Sequence, residues 1–590
     1  MIASLAELKK FKDALLYPVP PAPEKRSIEC LFSFDLPVTV SEIWPYLIDT
    51  SKMNQEMGFP PRSETEVNGE TRVSTVTLGK KEEWIEKPWI WVHEKEIQQH
   101  RVFIKGWMAS HRGIFKVESL GPESTRVYVY FLWGYRSLFN YLFFKLVPKG
   151  LERSFQKFFD AKVALIQRDR KEKTRTGVRL PSTEDVYASV RNYCLNADPL
   201  DLDRLHVKEI AGKLGLDLEA SIGAFVRMVR DGDLSLSWDV ICPHCRGARQ
   251  ESKSISGLQG FGTCEPCGTT FTTEEEESVE VVFHLTPKLR EIPKVVYCAA
   301  EPSKKKHIKL FQGVGPGITK NYGLELPEGL YRLRRKNATG AVFLELSNFS
   351  QEKNFHWEGQ DLPRQKLSTN FELKLTNNSN EQDFFTLEEA WWFKDRLLSG
   401  EALSHPLIRE IFSEDHLQTG LKLNVGQQVI LFTDIVGSTP FYQESGDALA
   451  LKYVQAHYRE VSELIAAHGG VVVKYIGDAI MAAFLDLEKA MACTVAIHKL
   501  FPKDRTDSPI RLRASFHEGK VLCANMNVGL DYFGNTVNQA AKIQKYADAL
   551  EIAVTKEDWE KIAPRFPQLK VKSSLRDEKL GLDVHVLVQS

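Results

Sequence analysis

Two aspartates and four cysteines stand out in this chain as residues whose type and spacing could do chemistry. Asp434 follows the apolar run Gln428–Thr433, which reads as a strand, and precedes Ile435-Val436-Gly437-Ser438-Thr439. Asp478 lies in the turn Ile476-Gly477-Asp478, between the strand-like runs Val471–Tyr475 and Ala479–Phe484. A hairpin turn can lie beside the end of a neighbouring strand. Two carboxylates brought together that way offer the hard oxygen donors that a pair of divalent cations takes. Between them runs a helix with Leu451, Val454, Tyr458, Val461 and Ile465 on one face, closed by Gly469-Gly470. Taken singly, Asp434 would serve equally as a helix N-cap and Asp478 as an ordinary turn residue.

The cysteines form two knuckles, Cys242-Pro-His-Cys245 and Cys264-Glu-Pro-Cys267, with 18 residues between them. That spacing can set four thiolates tetrahedrally around one Zn²⁺, as in a zinc ribbon. Gly247 and Gly268 permit the tight turns. Four thiolates leave no open coordination position, so such a zinc stabilises and does not catalyse. His244 lies inside the first knuckle and is not counted as a ligand.

These groups need several domains to hold them. At 590 residues with 43% hydrophobic and 26% charged content, the chain reads as multidomain globular protein. A formal net charge of −1 supplies no global field toward nucleic acid or an anionic surface. Nine cysteines, four of them in knuckles, suit a reducing cytoplasm better than a disulfide framework. Residues 1–16 lack the apolar run of a signal peptide. Val127–Val147 is rich in Tyr, Phe and Leu but contains Arg136, Asn140 and Lys145, so no stable membrane span is expected.

Strand-like runs at Ile28–Phe34, Thr71–Leu78, Trp84–Glu86, Trp89–Ile97, His111–Val117 and Thr125–Trp133 precede a helical stretch, Leu142–Ile166. This order resembles the START-like, helix-grip (SRPBCC) superfamily, in which a curved sheet wraps a long helix. The resemblance implies an α/β fold that either encloses an apolar cavity for a hydrophobic small ligand or packs solid. A charged stretch around 168–180 reads as a linker, and Val207–Leu216 with Glu219–Val229 as a helix-turn-helix, a shape used more for packing than for reading DNA. Alternating, turn-rich text from Ser278 to Leu387 (Val279–Leu285, Lys294–Cys298, Gly329–Arg334, Ala341–Leu346, Phe371–Leu375) reads as a small β-sandwich or barrel, and Leu387–Ser399 with Leu407–Phe412 as a helical connector.

The fold class expected is therefore multidomain α+β. It comprises an N-terminal extension (1–24), a helix-grip domain (25–170), a linker and helical module (171–238) and a zinc ribbon (239–275). A β-rich domain (276–387), a connector (388–426) and a C-terminal ferredoxin-like βαββαβ domain (427–590) complete it.

Three motifs occur in order in that last domain: VILFTDIVGST (Val429–Thr439), KYIGDAIMA (Lys474–Ala482) and DYFGNTVN (Asp531–Asn538). Together they resemble the class III adenylate/guanylate cyclase family over Val425–Ser590. The resemblance implies two Mg²⁺ or Mn²⁺ per site held by Asp434, Ile435 and Asp478, and phosphate contacts from the backbone of Val436, Gly437, Ser438 and Thr439. In that family adenylate cyclases read the base with a Lys and an Asp or Thr, and guanylate cyclases with a Glu and a Cys or similar residue. Lys474 and Asp531 occupy these positions, which implies ATP. The family's catalytic Asn is Asn538, but its Arg is Lys542, which keeps the charge and loses the planar fork. Arg576 matches the terminal-phosphate residue, with Lys579 a rival and Asp577 in place of the usual Gly. Ala524–Leu530 is shorter than the usual dimerisation arm. Family active sites lie between two catalytic domains, and one chain carries both halves, so a homodimer with two sites is expected.

The leading reading is a cytoplasmic adenylate cyclase, controlled by its upstream domains, with ATP as substrate and no nucleic-acid partner. A second is a degenerate cyclase acting as a nucleotide- or ligand-binding dimer module. A third, a DNA-binding regulator built on residues 182–270, predicts salt-sensitive duplex binding.

Overall fold

The structure is a computed structural model that describes the whole chain except residues 1–4, 17, 68–69, 174–182, 243–247, 265–268, 275–277, 293–304, 336–340, 391, 412–421, 527–528 and 590. It divides into two compact units. One comprises Met1–Arg179 and Pro293–Trp392, the other Leu180–Cys264, Gly268–Ile292 and Phe393–Ser590.

The first unit opens with strand Ser27–Leu36 and helices Val40–Ile48 and Thr50–Glu56. Thr39 starts the first helix through a capping box, its Oγ1 accepting from the Glu42 N–H at 3.3 Å while Glu42 accepts from the Thr39 N–H at 2.9 Å. Seven strands between Ser63 and Gly134 follow, then helices Leu138–Phe144 and Val147–Lys173. The long helix buries Phe155, Phe158, Phe159 and Ile166 against the sheet residues Phe34, Phe115 and Phe131. Rings meet there at 5.0 Å (Phe34–Phe159) and 6.0 Å (Phe115–Phe155), an aromatic core in mutual contact.

Several expectations change in this unit. Trp89–Ile97 is broken into Ile90–Val92 and Glu96–Lys105 by a turn in which Glu94 takes a positive φ of 54°. Glu96–Lys105 was hidden because Gln98, Gln99 and His100 interrupt its apolar alternation. The Leu142–Ile166 stretch is two helices, and the second runs on to Lys173, into the supposed linker. The β-rich text is not an isolated domain. Strand Ile308–Val314 pairs with Ile90–Val92 and continues the N-terminal sheet through Asp383–Glu389, Gly329–Arg335 and Ala341–Leu346, whereas Val279–Leu285 belongs to the other unit. Lys294–Cys298 lies outside the described residues. The expected helix Leu387–Ser399 is instead the end of strand Asp383–Glu389, one 3-10 turn, Trp392–Asp395, and a short strand, Leu397–Leu398, with an α-helix starting only at Ser399. Its Glu388 is fully buried and takes hydrogen bonds from Arg332 Nε (2.7 Å) and Arg334 Nε (3.0 Å), so charge there does not mean exposure.

In the second unit, helices Thr183–Asn196, Val207–Leu214 and Leu218–Arg230 pack on a sheet ordered Ala248–Ser252, Leu234–Ile241, Val279–Leu285, Leu397–Leu398. Gly215 turns between the second and third helices with φ 64°, and Asp217 caps the third. That third helix is partly covered by the connector helix Pro406–Ile411: Glu219 meets His405 at 3.0 Å and Arg230 meets Glu410 at 2.6 Å. A helix engaged in this way fits packing better than duplex reading.

Residues 422–589 form an eight-stranded sheet whose main path runs Val471–Ile476, Ala479–Phe484, Lys422–Ile435, Leu512–Met526, Ile552–Thr555, Leu582–Gln589, Leu569–Asp577. The first four strands, with helices Asp447–Ala467 and Leu487–Leu500, make the βαββαβ unit. Gly470 lies so close to the Phe484 ring that an added Cβ would sit 2.4 Å from it, which explains the second glycine after the long helix.

Candidate functional site

The strand Lys422–Ile435 pairs antiparallel with Ala479–Phe484, Thr433 opposite Ile480. This register puts Asp434, one residue on, beside the turn carrying Asp478. Gly477 sits in that turn with φ 61°, and Gly437 allows the sharp exit after Asp434 with φ 71°. Helix Asp447–Ala467 braces the hairpin: the Tyr458 hydroxyl donates to the Gly477 carbonyl, and Ser462 Oγ meets Tyr475 Oη at 3.0 Å. Burial, and then the Asp478 charge, raise the Tyr458 phenol pKa, so it stays a donor.

The two carboxylates have different partners. Asp434 Oδ2 accepts from Arg513 Nε at 2.9 Å and Nη2 at 2.5 Å, Arg513 being its cross-strand neighbour. Asp478 Oδ2 is buried, and among the described residues no donor reaches it. An uncompensated buried carboxylate oxygen is costly unless a cation or donor arrives. Together with Asp434 it forms an all-oxygen donor set that fits Mg²⁺ or Mn²⁺. Ile435 is the last residue of that strand.

Past the corner, helix Ser438–Ser445 starts at Gly437. The Val436 N–H donates to the Arg511 carbonyl at 2.9 Å. It is therefore committed to the backbone, and of the N–H groups expected to contact phosphate this takes out that of Val436.

Lys474 and Asp531, 57 residues apart, are joined: Lys474 Nζ donates to Asp531 Oδ2 at 2.6 Å. Asp531 is 8% exposed, and its Oδ1 accepts from the Tyr532 N–H at 2.8 Å. Strand Gly529–Phe533, paired to Leu512–Met526, carries it. The Tyr532 hydroxyl is buried and 3.2 Å from Ser404 Oγ, which gives its own proton to Gln428 Oε1 at 2.6 Å. Burial pushes the Tyr532 phenol up to about 12. Asp531 is thus tied through Tyr532 to the connector helix Ser399–Leu403.

Asn538 and Lys542 are exposed one turn apart on helix Asn535–Ile543. Thr536 Oγ1 holds that helix to the Lys520 carbonyl at 2.8 Å. Arg576 is exposed and pairs with Asp583 across the strand at 3.2 Å. Asp577, where the resembled family has Gly, is buried and accepts from Lys545 (2.8 Å) and Tyr546 (2.9 Å), and Lys545 first holds its carboxyl well below the usual range. Its Oδ1 also accepts from the Lys579 and Leu580 N–H groups at 3.0 and 3.1 Å, which fixes the turn.

Cys242 directly follows strand Leu234–Ile241, and Cys264 ends strand Phe261–Cys264. Cys245 and Cys267 lie outside the described residues. Among the described residues no cluster of three or more His, Cys, Asp or Glu side chains forms a metal site.

The sequence singles out neither Arg513 nor Ser404, and it marks Tyr458 only as a helix-face position and Tyr532 only as part of the third motif. Arg513 leaves a signal as the one charged residue of Leu512–Phe516.

Residues 423–574 match the family described as the adenylate and guanylate cyclase catalytic domain, and residues 173–320 a family of unknown function, DUF5939. Adenylate cyclase 2 of Rhizobium meliloti is 28% identical over 134 residues, which cover 20% of this chain and 36% of that protein. A receptor-type adenylate cyclase of Trypanosoma congolense is 30% identical over 166 residues, covering 21% of this chain and 22% of that protein. This chain thus spans well under half of either relative. The solved adenylyl cyclase CyaB from P. aeruginosa is 19% identical, with a TM-score of 0.26, and covers 29% of this chain and 96% of its own. The C-terminal segment is a class III adenylate/guanylate cyclase catalytic domain. No described helix is long and apolar enough to cross a membrane.

Proposed function

We propose that this segment makes 3′,5′-cyclic AMP and pyrophosphate from ATP, as a homodimer regulated by the upstream segments. The observation that carries the reading is the Lys474–Asp531 pair, a donor held 2.6 Å from an acceptor. Adenine presents a ring-nitrogen acceptor and an amine donor, which match Lys474 and Asp531 in turn. Guanine reverses the pattern and would leave buried groups unmatched.

In the reaction the ribose 3′-oxygen attacks the α-phosphorus, the bond to the bridging oxygen breaks, and pyrophosphate leaves with the electron pair. Asp434, Asp478 and the Ile435 carbonyl would hold two divalent cations, whose chemistry is neutralising the triphosphate and easing loss of the hydroxyl proton. The N–H groups opening helix Ser438–Ser445 face phosphate oxygens. Arg513 neutralises Asp434 in the meantime and has the fork to meet a phosphate oxygen once that carboxylate is engaged. Asn538 orients the ribose, Lys542 meets charge on the transferred phosphoryl group, and Arg576 reaches the terminal phosphates. The aspartates of one copy work with Lys474, Asp531, Asn538 and Lys542 of the other.

The test is cyclic AMP production from ATP and Mn²⁺ by the purified chain and by Asp434→Ala. No product from the unaltered chain sinks the reading and leaves the binding module, which Lys542 in place of arginine favours. The four cysteines are proposed to hold one structural Zn²⁺, and elemental analysis giving well under one zinc per chain would refute that. The START-like segment is proposed to take a hydrophobic ligand that binds the active and inactive arrangements unequally. Failure of every such ligand to shift the melting of the full chain would end that part.

A further inference from the structure

We propose that one face of the N-terminal unit docks on an anionic lipid bilayer, lying in its surface without spanning it. Helix Leu138–Phe144 leaves its large apolar side chains outside: Phe139 is 69% exposed, and Leu138, Leu142 and Phe143 are each more than half exposed. Leu146, just beyond, is 76% exposed, and Leu78, at the tip of the hairpin between Glu70–Thr77 and Lys80–Glu86, is 69% exposed. Single exposed leucines are ordinary, but a contiguous cluster of this size is not.

The cluster is built as one surface. Trp107 Nε1 donates to the Thr77 carbonyl at 3.2 Å, which ties the hairpin tip to the loop carrying Trp107. Asn140 Nδ2 donates to the Trp107 carbonyl at 2.8 Å, Phe143 stacks on the Trp107 ring at 6.0 Å, and Arg136 Nη1 donates to the Ile104 carbonyl at 3.1 Å. Lys80 Nζ lies 4.6 Å from the centre of the Trp107 ring.

Charge selects the occupant. Residues 76–81, 102–109 and 136–151 contain Lys80, Lys81, Lys105, Arg136, Lys145 and Lys149, in a chain whose net charge is −1; of the acids that border them, Glu83 and Glu152 flank the stretches and Glu82, which accepts from the Trp107 N–H at 3.3 Å, is buried. Lys80, Lys81, Lys105, Arg136, Lys145 and Lys149 are all exposed. Apolar and aromatic side chains ringed by cations suit the boundary between acyl chains and anionic headgroups. A second copy on the same face would bring two sets of cations together. A seven-residue helix is far too short to cross a bilayer.

The experiment is sedimentation of the full chain with phosphatidylcholine vesicles and with vesicles that also contain phosphatidylserine, at low and raised salt. Binding is expected only to the anionic vesicles and weaker at high salt. Phe139→Asp with Leu142→Asp should weaken it at least about tenfold, and Lys145→Glu with Lys149→Glu by a similar factor. These side chains are exposed, so melting temperatures should hold; should a double variant fail to fold, Phe139→Ser alone is expected to weaken binding. No sedimentation with either vesicle, or sedimentation unchanged by the variants, overturns the proposal. So does a mass that doubles with concentration and that Phe139→Asp abolishes, in the absence of vesicle binding, because the face then belongs to a second copy.

Discussion

The proposed purine end and the proposed metal end of the cyclase segment reach opposite states within a single chain. At the purine end, Lys474 and Asp531 satisfy each other at 2.6 Å. At the metal end, Asp434 leans on Arg513, while Asp478 keeps a buried Oδ2 without a donor. The cause is elementary. A lysine and an aspartate are complementary to each other, so Lys474 and Asp531 can satisfy one another directly. Two ionised carboxylates repel each other, so such a corner is completed by a cation or by a shared proton.

The largest effects should come from breaking the metal end. Asp478→Ala and Asp434→Ala are each expected to lower cyclic AMP formation about 10³-fold or more with Mn²⁺. Their stability readouts should diverge from those at the purine end. Asp478→Asn removes the charge of a half-buried carboxylate whose Oδ2 has no donor among the described residues, so in chelator its melting temperature should hold or rise. Lys474→Ala strands Asp531 and should lower it. Equal destabilisation by both in thermal melts would erase the contrast.

Next in size is base choice. Lys474→Glu with Asp531→Cys reverses donor and acceptor, and should move the ratio of GTP to ATP turnover about 10²-fold toward GTP. Unchanged selectivity in competition assays would mean that the base is read elsewhere. Lys542→Arg is a smaller step: it restores a fork on the exposed face of helix Asn535–Ile543, and a several-fold rise in kcat with little change in KM is expected.

Legibility followed the same division. Asp434, Asp478, Lys474, Asp531 and Asn538 could be read because each sits in a dense local motif, and the βαββαβ order followed from period-2 and period-3.6 patterns around them. The contacts of Arg513, Tyr532 and Ser404 could not, although Tyr532 lies within a motif, since their partners lie 79, 128 and 128 residues away. The upstream half was misdivided for a similar reason. Ile308–Val314 carries no mark in its own residues that its partner is Ile90–Val92, more than 200 positions earlier. Buried charges such as Glu388, neutralised by arginines on a neighbouring strand, also disguise strands as polar text.

Acid should act through the element behind the metal hairpin. His457, next to Tyr458 on helix Asp447–Ala467, is 1% exposed, and burial depresses its pKa to about 4. In the unfolded chain it titrates near 6.5, so between those values the unfolded state binds more protons and stability falls as pH falls. His498 is depressed to about 4 in the same way. Neither ring nitrogen of His457 has a hydrogen-bond partner among the described residues. His457→Phe should therefore flatten the decline of melting temperature from pH 6.5 to 4, and an unchanged slope would place the acid sensitivity elsewhere.

The smallest expected effect tests whether the purine end is as self-contained as its ion pair suggests. Asp531 Oδ1 is fixed by the Tyr532 N–H, and the Tyr532 hydroxyl meets Ser404, on the connector that also contacts helix Leu218–Arg230 through His405 and Glu219. Gly400 of that connector sits where a Cβ would come within 2.0 Å of the Val425 carbonyl, so its fit against the first cyclase strand is close. Removing one hydroxyl in Tyr532→Phe leaves the ring packed and costs about 1 kcal/mol of local fixing. If the connector aims Asp531, that loss should raise KM for ATP a few-fold and leave kcat and metal dependence nearly unchanged. A fall in kcat at constant KM would instead place the connector's influence on the metal end, and the two ends would then have to be treated as one coupled device.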